Sequence, residues 1–147
     1  MSKDRTKFEI EDIKLLYKKA EGHNLYYDEI NEETRKIEAF LIQSALLEGV
    51  LCEIAFRAMG TKFSCVYGKR NNRYGLNSVI DDLYLLKVIS DDEFNSLEKF
   101  KNARNKYFHT LLKQEPKKLE KQLGDEYSNF EEITWSMVEK LEKLYKK

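Results

Sequence analysis

Residues 37–51 read IEAFLIQSALLEGVL and form the centre of the longest helical pattern in the chain. Apolar side chains recur here every three or four residues, which is the spacing of one face of an α-helix. The pattern begins at Ile30 and continues to Gly60, and residues 46–51 are apolar almost all round. We therefore predict a long helix around residues 31–59 whose middle is buried on several sides. The apolar positions on its face are Ile30, Ile37, Phe40, Leu41, Leu47, Val50, Leu51, Ile54 and Ala58.

A second long helix is predicted around residues 91–113. Ser90 and Glu93 have the spacing of a capping box, in which each side chain satisfies the other residue's backbone N–H. The helix should stop before Pro116, because the residue before a proline avoids the helical conformation. Since both long helices have well-formed apolar faces, we expect them to pack antiparallel.

Shorter helices flank the two long ones, and residues 60–75 form the best candidate for a loop, with three glycines and two adjacent asparagines. No strand alternation persists. The sequence predicts an all-α fold, a single domain over residues 1–147. The shorter predictions are a helix from about Lys7 to Ala20 ended by Gly22 and Asn24, a helix with the stripe Leu76, Val79, Ile80, Leu83 and Leu86, a helical turn ended by Gly124, and a last helix capped by Ser128 or Asn129.

The composition excludes several classes of protein. The chain has 147 residues with 26 basic and 26 acidic side chains. Its zero net charge argues against a protein that coats nucleic acid by the electrostatic field of the whole molecule.

Cys52 and Cys65 have neither metal-ligand spacing nor the density of a disulfide scaffold, so we expect reduced thiols. The N-terminus has no apolar signal core, and uninterrupted apolar runs fall far short of the ~20 residues that span a bilayer. We expect a cytoplasmic protein that does not engage a membrane.

Within the second long helix, the segment Arg104-Asn105-Lys106-Tyr107-Phe108-His109 breaks the local pattern. Nearly all helical neighbours of Arg104 are apolar or aromatic, and a guanidinium there costs free energy unless it is paired or lines a cleft. Asn105 and His109 are four residues apart and share a helix face. Arg104 and His109 are rotated by roughly 140°, yet both can border one cleft because arginine is long. A second copy related by a two-fold axis would place two such sets face to face.

These residue types suit RNA cleavage by the ribose 2′-hydroxyl, which needs no metal-bound water. His109 can move protons near neutral pH. Arg104 can hold the negative charge that develops on the phosphoryl oxygens. Asn105 can orient the histidine or the phosphate through its amide.

The segment resembles the Arg-polar-x-x-x-His signature of HEPN domains, in its Arg-Asn-x-x-x-His form. This resemblance implies a HEPN-like helical bundle that forms a homodimer with a composite cleft. It also implies metal-independent endoribonuclease activity that leaves a cyclic phosphate, with no cofactor and no metal. Arg104 and His109 would be the essential pair, and Asn105 the supporting polar residue. Members include toxins and phage-defence proteins, so the implied partners are RNA, a second copy, and a protein antitoxin or regulator. Leu111 stands where the branch paired with nucleotidyltransferase antitoxins often has a tyrosine, so we do not assign the chain to that branch.

Basic residues near the motif are candidates for RNA binding. Lys101 and Lys106 lie on the motif helix, and Lys69, Arg70 and Arg73 lie in the predicted loop. A cationic surface attracts the phosphate backbone, and a solvated helix face is the competing interpretation. For the loop residues, a solvated loop competes in the same way.

Two other functions stay open from the sequence. The chain could be a catalytically inactive HEPN-like module that dimerises or binds RNA or protein through the same cleft. It could also be a monomeric bundle in which Arg104 forms an intramolecular salt bridge. Glu48 and Glu53, on the first long helix, could reach the motif or could be ordinary exposed positions.

Overall fold

The computed structural model describes residues 9–25, 35–60, 62–63, 65, 75–110 and 113–146. Within these ranges the chain is helical and has no strand, which confirms the predicted all-α class. The helices are α1 (Ile10–Leu25), α2 (Arg35–Met59), α3 (Leu76–Leu85), α4 (Asp91–Thr110), α5 (Pro116–Leu123) and α6 (Tyr127–Tyr145), with a 3₁₀ turn at Gly124–Glu126 between α5 and α6.

Helix α2 lies at the centre of the bundle. Its closest neighbours are α1 and α6, while α3 and α5 also pack against it. Helix α4 reaches it through large side chains: the Phe40 ring lies 5.1 Å from that of Phe100 and 5.8 Å from that of Tyr107. The two long helices, which were predicted to pack against each other, therefore share fewer contacts than α2 shares with α1 and α6. A helix that is apolar all round can bury several faces at once, so it needs several partners.

Most predicted elements are present, with shifted ends. The first helix continues through Gly22 and Asn24, so the prediction that they end it is wrong; a glycine inside a helix costs only about 1 kcal/mol, which packing can offset. Helix α6 begins at Tyr127, directly after the 3₁₀ turn, so neither Ser128 nor Asn129 caps it. Leu86 follows the end of α3 and is 50% exposed, whereas the other four members of its predicted stripe are buried.

The capping box at the start of α4 forms as predicted. The N–H of Ser90 donates to Oε1 of Glu93 at 2.9 Å, and the N–H of Glu93 donates to the hydroxyl of Ser90 at 3.1 Å. These bonds satisfy two backbone donors at the first turn of the helix that carries the motif. The start of α4 is thereby fixed by local chemistry.

The start of α2 is capped by a residue far away in the sequence. The carboxylate of Glu120, on α5, accepts hydrogen bonds from the backbone N–H groups of Lys36 at 2.8 Å and Ile37 at 2.9 Å. An anion at a helix N-terminus also interacts favourably with the helix dipole. The short helix α5, which follows the motif helix in the chain, thus clamps the first turn of the central helix.

By length and composition alone, residues Lys36–Met59 could cross a membrane, since this segment of the helix has a mean hydropathy of 1.7. Of the qualifying window, 61% is buried inside the protein. The central helix of a bundle passes the same test, so the measure is weak evidence for a membrane span.

Candidate functional site

Arg104 is paired with a carboxylate on the central helix. Its Nη2 lies 3.1 Å from Oε2 of Glu48, and the two side chains are 23% and 32% exposed. A Cβ built on Gly75 would stand 3.6 Å from the other carboxylate oxygen of Glu48, so this carboxylate also lies at the N-terminal end of α3. A negative charge there is stabilised by the helix dipole. Glu48 therefore reaches the motif and joins α2, α3 and α4 at one point.

Glu53 has a different role. Its carboxylate is 1% exposed and accepts a hydrogen bond from Nε of Arg57 at 3.3 Å. The Arg57 guanidinium lies 3.9 Å from the ring centre of Tyr145. Burial and the nearby negative charge of Glu53 raise the pKa of the Tyr145 phenol. Of the two candidate glutamates, Glu53 thus belongs to the contact between α2 and α6.

The guanidinium of Arg104 is only partly satisfied within one chain. Its Nε is buried and has no hydrogen-bond partner in the part of the chain that the structure describes. Its Cζ lies 5.1 Å from the ring centre of Phe108, one helical turn later. That ring is 41% exposed; Leu85 at 79% and Leu86 at 50% are more exposed still. The surface beside Arg104 is therefore apolar and open.

His109 is exposed in the last turn of α4, and Asn105 is half-buried one turn before it. By helix geometry, Asn105 is rotated by roughly 100° and His109 by roughly 140° from Arg104, so neither lies on the face that meets Glu48. A single chain consequently brings Asn105 and His109 together but separates them from Arg104. The salt bridge of Arg104 is the arrangement expected for the intramolecular alternative, and it is also compatible with a cleft built from two chains.

The predicted RNA-binding lysines differ from each other. Lys101 is held by Glu98 on its own helix at 2.7 Å. Lys106 is exposed, and its Nζ lies 5.6 Å from the ring centre of Tyr107. The loop residues Lys69, Arg70 and Arg73 lie outside the described residues. Lys106 is thus the described candidate that is open to solvent.

A groove of about 700 Å³ runs between α4 and α6 and begins beside the motif. The two helices are antiparallel, since Lys140 near the end of α6 lies 3.4 Å from Glu93 at the start of α4. The small side chains Ser96, Ala103 and Ser136 line it and leave the space open. Sequence reasoning did not find this groove. The only sequence feature that could have indicated the groove is the set of small residues on α4 and α6. Which of them face each other is known only from the fold.

Tyr107 forms part of the groove floor and is nearly buried. Burial raises the pKa of its phenol, and the nearby carboxylate of Glu126 raises that pKa further. The phenol therefore stays protonated at neutral pH and can donate a hydrogen bond.

Comparison of this chain with family models, with curated proteins and with solved structures found no match.

Proposed function

We propose that this chain is a metal-independent endoribonuclease of HEPN type that acts as a cytoplasmic homodimer, as a toxin or phage-defence component. The proposal rests on how the motif side chains are placed, one fixed by an ion pair and one open to solvent. Arg104 is fixed by Glu48, while His109 stands exposed beside Asn105 on an open surface. These are the residue types that RNA transesterification requires, set at the end of one rigid helix.

Arg104 supplies positive charge for the transition state. A guanidinium keeps its charge at any physiological pH and presents five N–H donors in a planar fork. One of these donors bonds to Glu48, which fixes the orientation of the fork. The remaining donors exceed what the described residues satisfy, because the Nε is buried without a partner. A phosphoryl group or a second copy of the chain would bond through the 23% of the Arg104 side chain that is exposed, since the buried Nε is closed to both.

His109 and Asn105 supply proton transfer and orientation. In the proposed step, the 2′-hydroxyl oxygen of a ribose attacks the adjacent phosphorus and the bond from phosphorus to the 5′-oxygen breaks. A histidine takes the proton of the 2′-hydroxyl, the leaving 5′-oxygen takes a proton from water, and the histidine then returns its proton to solvent. The products are a 2′,3′-cyclic phosphate and a 5′-hydroxyl. Because Asn105 lies one turn before His109, its amide can hold the imidazole or the phosphate.

Two copies of the chain are part of the proposal. The roughly 140° between Arg104 and His109 keeps them on different sides of one helix. A two-fold axis beside the exposed Phe108 would bring the arginine of one copy towards the histidine of the other. The open apolar ring gives such an interface a buried centre.

A second candidate function is a catalytically inactive module that dimerises or binds RNA or protein. The observation that favours it is the ion pair between Arg104 and Glu48, which gives the arginine a structural role without chemistry. In that case Arg104→Gln would weaken folding or dimerisation, and purified protein would cleave no RNA.

The test of the leading proposal is cleavage of RNA by purified protein in the presence of EDTA. Wild type should produce fragments that end in a cyclic phosphate, and His109→Ala should abolish them. His23→Ala is the matched control, since His23 is the only other histidine in the chain. Equal cleavage by wild type and His109→Ala, or none by wild type across varied RNAs, would remove the catalytic proposal.

A further inference from the structure

The groove between α4 and α6 has the volume of a small-molecule site, and its lining is mostly polar and charged. Its volume of about 700 Å³ lies within the range of ligand pockets, roughly 300–1,000 Å³. The floor is apolar and includes Phe130 and Ile133, while the walls carry amides and hydroxyls. Asn102 comes from α4 and Asn129 from α6, so two amides face the space from opposite walls. Such a lining suits a flat, polar-edged molecule better than an aliphatic one.

The groove is continuous with the motif. Lys106 lines it and precedes His109 by three residues, which places the two side chains on adjoining parts of one helix surface. Asn102 lies two helical turns before His109 on the same side. A ligand in the near half of the groove would therefore end beside the histidine.

The charges of the lining exclude a long polyanion. Lys99 and Lys106 form no ion pair with any described residue, but Glu126 and Glu132 lie on the opposite wall and Asp92 at the far end. Phosphates threaded along the whole groove would meet these carboxylates. A nucleoside in the near half, with its phosphate at Lys106, would meet only Glu126, whose carboxylate lies near Tyr107, and would avoid Glu132 and Asp92.

We propose that the near half of this groove binds a single nucleoside of the RNA, the one next to the cleaved phosphate. The base would lie over the apolar floor, and the amides of Asn102 and Asn129 would bond its edge, as asparagine amides bond nucleobases. Lys106 would hold the adjoining phosphate. This inference rests on the proposed function, because it assigns the groove to the substrate of that reaction.

The inference predicts a division of roles between neighbouring residues. Lys106→Gln should weaken binding of RNA of every sequence alike and reduce the salt dependence by about one phosphate contact. Asn102→Ala should instead change which nucleotide is preferred at one position, with a loss of about tenfold for the preferred base.

The experiment uses full-length, ¹⁵N-labelled His109→Ala protein and follows the amide spectrum during titration. The probes are the four nucleoside 5′-monophosphates, adenosine without phosphate, and inorganic phosphate alone. We expect the side-chain amides of Asn102 and Asn129 to shift with a nucleoside or nucleotide, and to stay unchanged with phosphate alone. Adding Asn102→Ala should weaken binding about tenfold, whereas Asn77→Ala, at an exposed site on α3, should leave it unchanged.

Unshifted Asn102 and Asn129 amides at millimolar nucleotide, or equal weakening by Asn77→Ala, would overturn the inference. This result is separable from the proposed function through the cleavage assay in EDTA. Cleavage by wild type with an unresponsive groove would remove the nucleoside site alone. Nucleoside binding without cleavage would support the groove and remove the ribonuclease.

Discussion

The guanidinium of Arg104 donates to the carboxylate of Glu48 at 3.1 Å, and this bond joins the motif helix to the central helix. The pair is separated by 56 residues in sequence, so it forms only when α2 and α4 are assembled. The carboxylate gives an arginine on a mostly apolar helix face a counter-charge and fixes the orientation of its guanidinium. In the ribonuclease proposal, this bond holds the guanidinium in place for catalysis. In the inactive alternative, stabilising the fold is the only role of Arg104.

Separating these two roles requires a double-mutant cycle on Glu48 and Arg104. Glu48→Gln and Arg104→Gln should each lower the free energy of unfolding, with a coupling energy of about 0.5–1 kcal/mol because both side chains are partly exposed. Urea unfolding of wild type, both single variants and the double variant measures it. In the ribonuclease proposal Glu48→Gln also lowers cleavage about tenfold through misplacement of the guanidinium. Unchanged cleavage in a folded Glu48→Gln protein would contradict the positioning role.

The exposed ring of Phe108 should contribute to a homodimer. Phe108→Ser should raise the dimer dissociation constant about tenfold or more, because the exposed 41% of the ring becomes buried only in the dimer. The substitution also removes packing within one chain, so urea unfolding of the monomer is measured beside it. Light scattering and sedimentation at micromolar concentration measure the change. Leu85→Ser is the matched control, since Leu85 is 79% exposed at the end of α3. A wild-type protein that stays monomeric at these concentrations would argue against the two-chain cleft.

The carboxylate of Glu120 should stabilise the start of α2. Glu120→Ala removes the acceptor of two backbone N–H groups and should cost about 1–2 kcal/mol in the free energy of unfolding. Thermal and urea unfolding both report this loss. Glu115→Ala is the control, because Glu115 precedes α5 without a side-chain capping bond. Equal losses in the two variants would show that the cap contributes nothing specific.

The pair of Lys14 and Glu142 should make stability depend on pH. The hydrogen bond from Lys14, 3.1 Å long, lowers the pKa of Glu142 below its ordinary value of 4.5, although desolvation opposes this. A carboxyl whose pKa is lowered by folding adds stability above its unfolded pKa and loses it as the pH falls through the folded value. Glu142→Gln should therefore destabilise the protein at pH 7, and the difference should shrink below about pH 4. Glu139→Gln, at an exposed site on the same helix, should cause no such difference; a loss that is constant with pH would contradict the assignment.

The sequence predicted the class of fold and most of its elements because these depend on local patterns. The capping box of Ser90 and Glu93 and the buried stripe from Leu76 to Leu83 require only neighbouring residues. The end of α1 and the start of α6 were predicted wrongly because helix propensity is weak at both places. Packing carries α1 through Gly22, and the turn at Gly124–Glu126 leads directly into α6.

The candidate site was predicted only in part, because its decisive contacts are not local. The motif residues were visible as a charge on an apolar face. The partner of Arg104 was one of two glutamates that the sequence could not rank, and the fold distinguishes them by burying Glu53 against Arg57. The cap by Glu120 and the groove between α4 and α6 join segments far apart in the chain, so no spacing in the sequence could reveal them.

Mixing two inactive variants tests the two-chain cleft most directly. Arg104→Gln and His109→Ala proteins should each be inactive alone, while refolding them together gives about half of the dimers as mixed pairs. A mixed pair keeps one arginine and one histidine on different chains, so the account predicts that RNA cleavage in EDTA returns. A mixture that stays inactive, under conditions in which wild type cleaves and mixed dimers are detected, would contradict a site shared between two copies.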